Sequence, residues 1–309
     1  MKIKKQKQSH IKNHFIPTLY LQQWYGNNHN FFAWEFNDIQ NLFCSIGHRN
    51  HGNTKTSEKK LYWLNTKDED FKVSLEKEFG KSEAEVNKIL KKIYSQNIND
   101  LNTSDKSELL KFVASLKIRT PKIVNELKSE KQVRETENSL KYNFLKQGGT
   151  FIEYYAATSH PKITDQIKNF SLVSLATATE TEAYTKFLQK KFGKGKLIVF
   201  DTQKSNYSLL TSNYPVILTS NYPVIDCGNL VVFPISPNKL LLVIAESIPN
   251  EIDDLFKIGS IDEFVINANI GILNHHKNQN LGINYQVYGS TNQLEKILPV
   301  NLINNFFKI

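Results

Sequence analysis

The stretch Glu182–Phe200, EAYTKFLQKKFGKGKLIVF, holds the change of texture on which the fold reading turns. Up to Phe192 it continues a long helical stretch that starts at Pro161. After Gly193 the chain breaks into short β-rich runs: Leu197 to Phe200, Tyr207 to Leu210, Leu230 to Phe233 and Leu240 to Ile244, separated by turn residues. Ile261 to His275 returns to helix, and Tyr285 to Tyr288 reads as a further strand.

Upstream of the break, helical patterns dominate. From Asp68 to about Tyr94, Phe79, Val86, Ile89, Leu90 and Ile93 mostly recur at three- and four-residue intervals, which predicts an amphipathic helix or a helical pair near Gly80. Thr103 and Ser104 are placed to cap the next helix. Its buried stripe is Leu109, Phe112, Val113 and Leu116, and Asp105 with Glu108 suits the positive end of its dipole. Pro121 is expected to break it near Thr120. Polar helical sequence then runs to about Lys146, with Gly148 and Gly149 as punctuation. Nearer the start, Pro17 to Trp24 reads as a short helix and Phe31 to Phe36 as a strand. Leu42 to Asn65 reads as irregular, with Leu61 to Leu64 a second short strand. Helices and strands are segregated rather than alternating. The expected fold class is therefore α+β, a helical middle segment packed on a C-terminal, mainly antiparallel sheet. The expected organisation is a flexible basic tail over residues 1–12 and a single domain over 13–309, helical over about 68–192 and β-rich over about 193–309.

Composition narrows the classes. At 309 residues and 40% hydrophobic, the chain has material for a sizeable core, which excludes disorder as its main state. Cys44 and Cys227 lack CxxC spacing, so a disulfide framework or a cysteine-rich zinc site is not available, and a reducing, cytoplasmic setting is expected. No signal peptide is read after the Lys-rich start. The apolar run Leu240 to Ala245 is far short of the roughly 20 residues a membrane span needs. The formal net charge is +9, and Lys2, Lys4, Lys5, Lys7 and Lys12 precede any acidic residue. Such one-sided charge suits a polyanion, nucleic acid above all, although a Lys-rich tail also serves solubility alone.

Leu210–Ile217 spells LTSNYPVI and Leu218–Ile225 spells it again unchanged, a local duplication. Inserting eight residues into a strand preserves which face each neighbour points to. Pro215 and Pro223 each remove a ladder donor, so the segment is expected at an edge, a turn or a bulge.

Three motifs together resemble a bacterial family catalogued as domain of unknown function 4238. Its opening HxxPxxYL pattern is matched by His14, Pro17, Tyr20 and Leu21, with Trp24 where Phe is usual. Its RTP is matched by Arg119, Thr120 and Pro121. Its TSDxPV followed by FPLSP is matched by Thr211 to Val216, again by Thr219 to Val224, and then by Phe233 to Pro237. The resemblance spans about residues 14 to 290. It departs from the family at Asn213 and Asn221, where the family has Asp; were that Asp a metal ligand or general base, this chain would be impaired in it.

The candidate chemistry follows from residue types. His14 stands before a helix start that suits a phosphate and titrates near neutrality, so it is a candidate for proton transfer. Arg119 is a candidate phosphate clamp, or equally one half of a structural ion pair with a carboxylate such as Glu83. Tyr20, Ser212, Asn213, Ser220 and Asn221 are candidate substrate contacts, with Lys4, Lys5, Lys7 and Lys12 on a nucleic-acid backbone. His48, Arg49 and His51 lack a third ligand at a recognisable spacing, so no metal site is read, and the sequence names no cofactor either way. His275 and His276 are read as closing a helix. Phosphate-loop, dinucleotide, GxSxG and HExxH patterns do not occur.

The leading expectation is a nucleic-acid-directed effector, a nuclease of a defence or toxin-like system. A non-catalytic binding or sensor module and an enzyme acting on a small phosphorylated metabolite stay open. Clustering of His14, Arg119 and a TSN turn around an open cleft points to an enzyme. Burial of all three in a packed junction points to the module.

Overall fold

In the computed structural model, the segment after Gly193 forms strands whose side chains alternate between two apolar layers. The structure describes residues 12–25, 30–49, 55–59, 61, 74–95, 101–159, 172–192, 196–219, 230–244, 260–279 and 285–308. Strands β5 (Lys196–Asp201), β7 (Ile217–Thr219), β8 (Leu230–Ser236) and β9 (Lys239–Ile244) form one antiparallel sheet in the order β5-β9-β8-β7. Val231, Phe233, Leu241 and Val243 join one core cluster, while Val232, Leu240, Leu242 and Ile244 join the other. Period two with both faces covered is why LVVFPIS and KLLLVI read as near-continuous apolar runs.

The first of these layers is helical. Helix α2 (Ser74–Ser95) is one continuous helix through Gly80, so of the two readings the single helix holds. Helix α3 (Thr103–Ile118) buries Leu109, Phe112, Val113 and Leu116 as its stripe predicts. Its cap, however, is Asn102 rather than Thr103 or Ser104. The Asn102 side chain accepts from Asp105 N at 2.8 Å and Asp105 reaches back to the Asn102 backbone, a reciprocal capping box. The chain breaks at Thr120, extended at φ −63 and ψ 143, and α4 (Pro121–Leu127) starts on the proline, where a missing N–H costs nothing. Helix α3 meets the sheet through Phe112 and Phe233, whose centroids lie 6.2 Å apart, and Tyr94 of α2 donates to Ile235 O at 2.8 Å. The expected α+β fold, helical middle on antiparallel sheet, is what the structure has.

Helix α5 (Glu130–Lys146) ends at Gly148, whose φ of +94 is open to glycine. Gly148 N bonds Leu145 O and Gly149 N bonds Phe144 O, both at 3.1 Å. Helix α6 (Phe151–Thr158) then follows inside the expected helical part, between the two helical runs read from the sequence, and its capping box of Thr150 and Glu153 is legible as a T-x-x-E signal. Helix α7 (Leu172–Phe192) completes the helical part within the described residues.

The other layer holds α8 (Ile261–Gln279) and α9 (Val300–Phe306), the latter also unanticipated. Between the layers lies a second antiparallel sheet, β3-β2-β10-β6, built from β2 (Phe31–Asn37), β3 (Leu42–Arg49), β6 (Thr211–Ser212) and β10 (Gln286–Gly289). Two expectations are corrected here. Leu42 onward is strand rather than irregular, because the turn at Asn41, φ 52, returns β3 along β2 with Phe36 opposite Phe43. Tyr207 to Leu210 is not strand. Its backbone groups are met one by one instead: Ser208 N by Lys296 O, Leu209 N by Pro237 O (both 2.7 Å) and Leu210 N by Asn269 Oδ1 at 2.8 Å. The short pair β1 (Lys12–His14) and β4 (Ser57–Lys59) forms the third sheet; of the strand expected at Leu61 to Leu64, Leu61 is in a turn and the rest lies outside the described residues.

Candidate functional site

Helix α1 (Thr18–Leu21) starts directly after Pro17, whose carbonyl accepts from Tyr20 N and Leu21 N, and continues as a 3-10 turn over Gln22–Trp24. This tight geometry sends Tyr20, Leu21 and Trp24 inward, each fully buried. Tyr20 stacks on Phe233 with centroids 5.1 Å apart and planes 15° from parallel, and lies 5.0 Å from Trp24. Its hydroxyl donates to Pro234 O at 2.7 Å and makes a short contact with Thr211 Oγ1. A phenol has one proton; with that proton on Pro234 O, Thr211 is the donor to the phenol oxygen. Trp24 Nε1 donates to Leu209 O at 3.3 Å. Burial, the largest influence, pushes the Tyr20 hydroxyl well above its usual range, so it stays neutral. The first motif is thus bonded to both halves of the third.

The TSN turn is equally enclosed, with Thr211, Ser212 and Asn213 all at 2% exposure or less. Ser212 Oγ accepts from Tyr214 N at 3.1 Å. Asn213 extends the β6–β10 ladder by one step with its side chain: Asn213 N donates to Gln286 O at 3.1 Å, and Gln286 N donates to Asn213 Oδ1 at 3.0 Å. The amide oxygen takes the place of a backbone carbonyl as the chain turns toward Pro215. An aspartate oxygen would accept the same bond.

From Gln286 a polar network runs outward. Gln286 Oε1 accepts from Tyr288 Oη at 3.0 Å and from Lys55 N at 3.1 Å, while Nε2 donates to Glu35 Oε2 at 2.8 Å. Lys55 Nζ closes it on Glu35 Oε1 at 2.7 Å. Burial, and then the Glu35 charge, raises the Tyr288 hydroxyl well above its usual value. Glu35, Lys55, Gln286 and Asn269 were all missed in the sequence. Asn269 carried a signal, an amide in the apolar company of Val265, Ala268, Ile272 and Leu273. It is fully buried, and its Nδ2 donates to Ser208 O and Ile297 O at 2.8 and 2.9 Å.

Arg119 sits at the C-cap of α3 with 1% of its side chain exposed, and its Nη1 donates to Glu83 Oε1 at 2.7 Å. Of the two sequence readings, the ion pair with Glu83 is the one seen. The His14 backbone pairs with Ser57 and that of Lys12 with Lys59. The His14 and Lys12 side chains, together with Lys4, Lys5, Lys7, His51, Ser220 and Asn221, lie outside the described residues. His48 is exposed, its ring 4.1 Å from Phe32, and Arg49 donates to His48 O. His275 does not close its helix, which runs on to Gln279; it is buried, with its ring 6.4 Å from that of Tyr285. No group of three or more metal-ligating side chains occurs among the described residues, nor any helix there long and apolar enough to cross a membrane.

No curated protein and no solved structure matches the chain. A family model described as Protein of unknown function (DUF4238) does match, over residues 12–277. Strand β10 falls beyond that match, yet it is the inner strand between β2 and β6 and supplies Gln286 to the TSN turn. With most of its length matched, and with its HxxPxxYL and TSN…FPISP motifs joined through Tyr20, the chain belongs to the DUF4238 family.

Proposed function

We propose that the chain is a nucleic-acid-directed binding module of the cytoplasm, in which the family motifs are the framework and the basic N-terminus is the contact. The observation that carries this reading is the burial of Tyr20, Arg119 and Thr211 to Asn213, with polar atoms bonded inside the protein: Tyr20 to Thr211 and Pro234, Asn213 to Gln286, and Arg119, apart from these, to Glu83. A guanidinium 1% exposed and bonded to Glu83 is poorly placed to grip a scissile phosphate. The charge of +9 and the five lysines ahead of the first acidic residue supply the attraction to a polyanion. Affinity of this kind follows salt, so it is testable without knowing a target sequence.

The test incubates purified protein with RNA, single-stranded DNA and duplex DNA, with and without magnesium. Beside the wild type are His14→Ala and a variant with Lys2, Lys4, Lys5, Lys7 and Lys12 changed to Ala. The expected result is intact nucleic acid and salt-dependent binding, with the log–log salt slope reduced by about 0.9 for each duplex phosphate contact that the lysine variant loses. Salt-independent binding, or lysines without effect, ends the nucleic-acid reading. Cleavage by wild type that His14→Ala abolishes replaces it with a phosphodiester-cleaving effector in which His14 moves the proton.

A further inference from the structure

The described copy of the octapeptide, Leu210–Ile217, threads from one sheet to the other. Its Thr211 and Ser212 form β6, the edge of one sheet, and its Ile217 opens β7, the edge of the other. What holds it is a short set of bonds. Leu209 N bonds Pro237 O, Leu209 O accepts from Trp24, and Leu210 N bonds Asn269 Oδ1. Thr211 meets Tyr20, Asn213 exchanges two bonds with Gln286, and Ile217 stands opposite Val232. Each is made by a backbone group or by a side chain that recurs eight residues later in Leu218–Ile225. Even the preceding position matches closely, Leu209 in one frame and Ile217 in the other.

We infer that the chain has two interchangeable registers, in which either the first or the second copy occupies this slot. Eight is an even shift, so the inward and outward faces of both edge strands are kept. In the shifted register Ile225, Asp226 and Cys227 stand opposite Val232, Val231 and Leu230. The connection to β8 then contracts to Gly228 and Asn229, a pair that suits a two-residue hairpin. The first copy is passed into the connection that follows β5, and moving eight residues between connections changes closure entropy only logarithmically. In β7 the chemical difference is Asp226 and Cys227 where Leu218 and Thr219 stand, and an edge strand accepts a charged residue. Ahead of the slot, Pro215 and Val216 come to the positions of Tyr207 and Ser208, where the backbone of Val216 offers the same N–H and carbonyl as that of Ser208. Because β6 and β7 are both edges, no inner strand has to part for the exchange.

Redundancy is the readout. Thermal unfolding of the full chain is compared for wild type, Asn213→Ala, Asn221→Ala and the double variant. With two registers, either single substitution leaves an intact copy to take the slot and lowers the midpoint by only about 1–2 °C. The double variant strips Gln286 N of its acceptor in both registers and loses about 5 °C or more. A chain lacking residues 218–225 is expected to fold with a near wild-type midpoint, and in it Asn213→Ala alone produces the full loss. Either single substitution matching the double in the full chain, or two large and additive single losses, overturns the proposal.

Discussion

The junction around Tyr20 and the end of the helical part around α5 and α6 place their aromatic residues in opposite ways. At the junction, Tyr20, Trp24, Tyr285 and Tyr288 are fully buried and their polar tips are spent on hydrogen bonds. On α5 and α6, Tyr142, Phe151, Ile152 and Tyr155 are exposed, and Lys141 lies over the Phe151 ring with Nζ 4.1 Å from its centroid. Both regions are rich in rings, so composition does not separate them. What does is whether each polar atom has a partner inside: a buried hydroxyl without one is penalised, whereas an exposed ring asks nothing of the fold. The junction therefore joins the stretches around Tyr20, Thr211 and Pro234 by bonds that have to be kept, and the α5–α6 surface is open to change.

Substitutions should grade along that contrast. The largest effect is expected at the Arg119–Glu83 pair, where Glu83→Ala leaves a buried guanidinium short of its carboxylate and is expected to lose about 3 kcal/mol in denaturant unfolding. Arg119→Met should lose less, since Glu83, with a side chain 20% exposed, can turn to water. Equal losses for the two would mean that burial of the arginine is not what sets the cost. Next comes Tyr20→Phe, which removes the hydroxyl between Thr211 and Pro234 and is expected to lose about 2 kcal/mol with the rings still packed. A neutral result would move the weight of the junction from its hydrogen bonds to its stacking.

The pH dependence sharpens the same comparison. Burial raises the Tyr20, Tyr285 and Tyr288 hydroxyls above the ordinary value of 10.0. Groups whose folded values are raised give stability that is complete below the unfolded value and is lost as pH climbs past it. Unfolding is therefore expected to become markedly easier above pH 10, with phenolate absorbance appearing together with unfolding. At the acid side, Asp262 is held below the usual carboxylate range by Ser205 and then Asn206, so its contribution is present above that range and fades as pH falls through it. The smallest effect belongs to the helical surface: Ile152→Glu, at a position 82% exposed, should shift stability by less than about 0.5 kcal/mol. A large loss there would show that this face is covered in solution.

Local pattern alone determined a good part of the molecule. The stripe of α3, the break at Pro121, the strands β5, β8 and β9, and the placement of the first repeat copy at sheet edges and the turn between them all follow from residue spacing and from what a proline cannot donate. The three motifs were enough for the family. Partners were another matter. Sequence placed Arg119 equally in a phosphate clamp and in an ion pair, and nothing local said that Tyr20 would meet Thr211 across 191 residues or that β10 would enter between β2 and β6. Nor did it mark Asn213 Oδ1 as a substitute for a backbone carbonyl. Periodicity encodes which face of an element is apolar, because that depends on a few neighbouring residues. Which two faces meet, and which buried oxygen finds which hydrogen, depends on packing summed over the whole chain, and only the tertiary structure decides it.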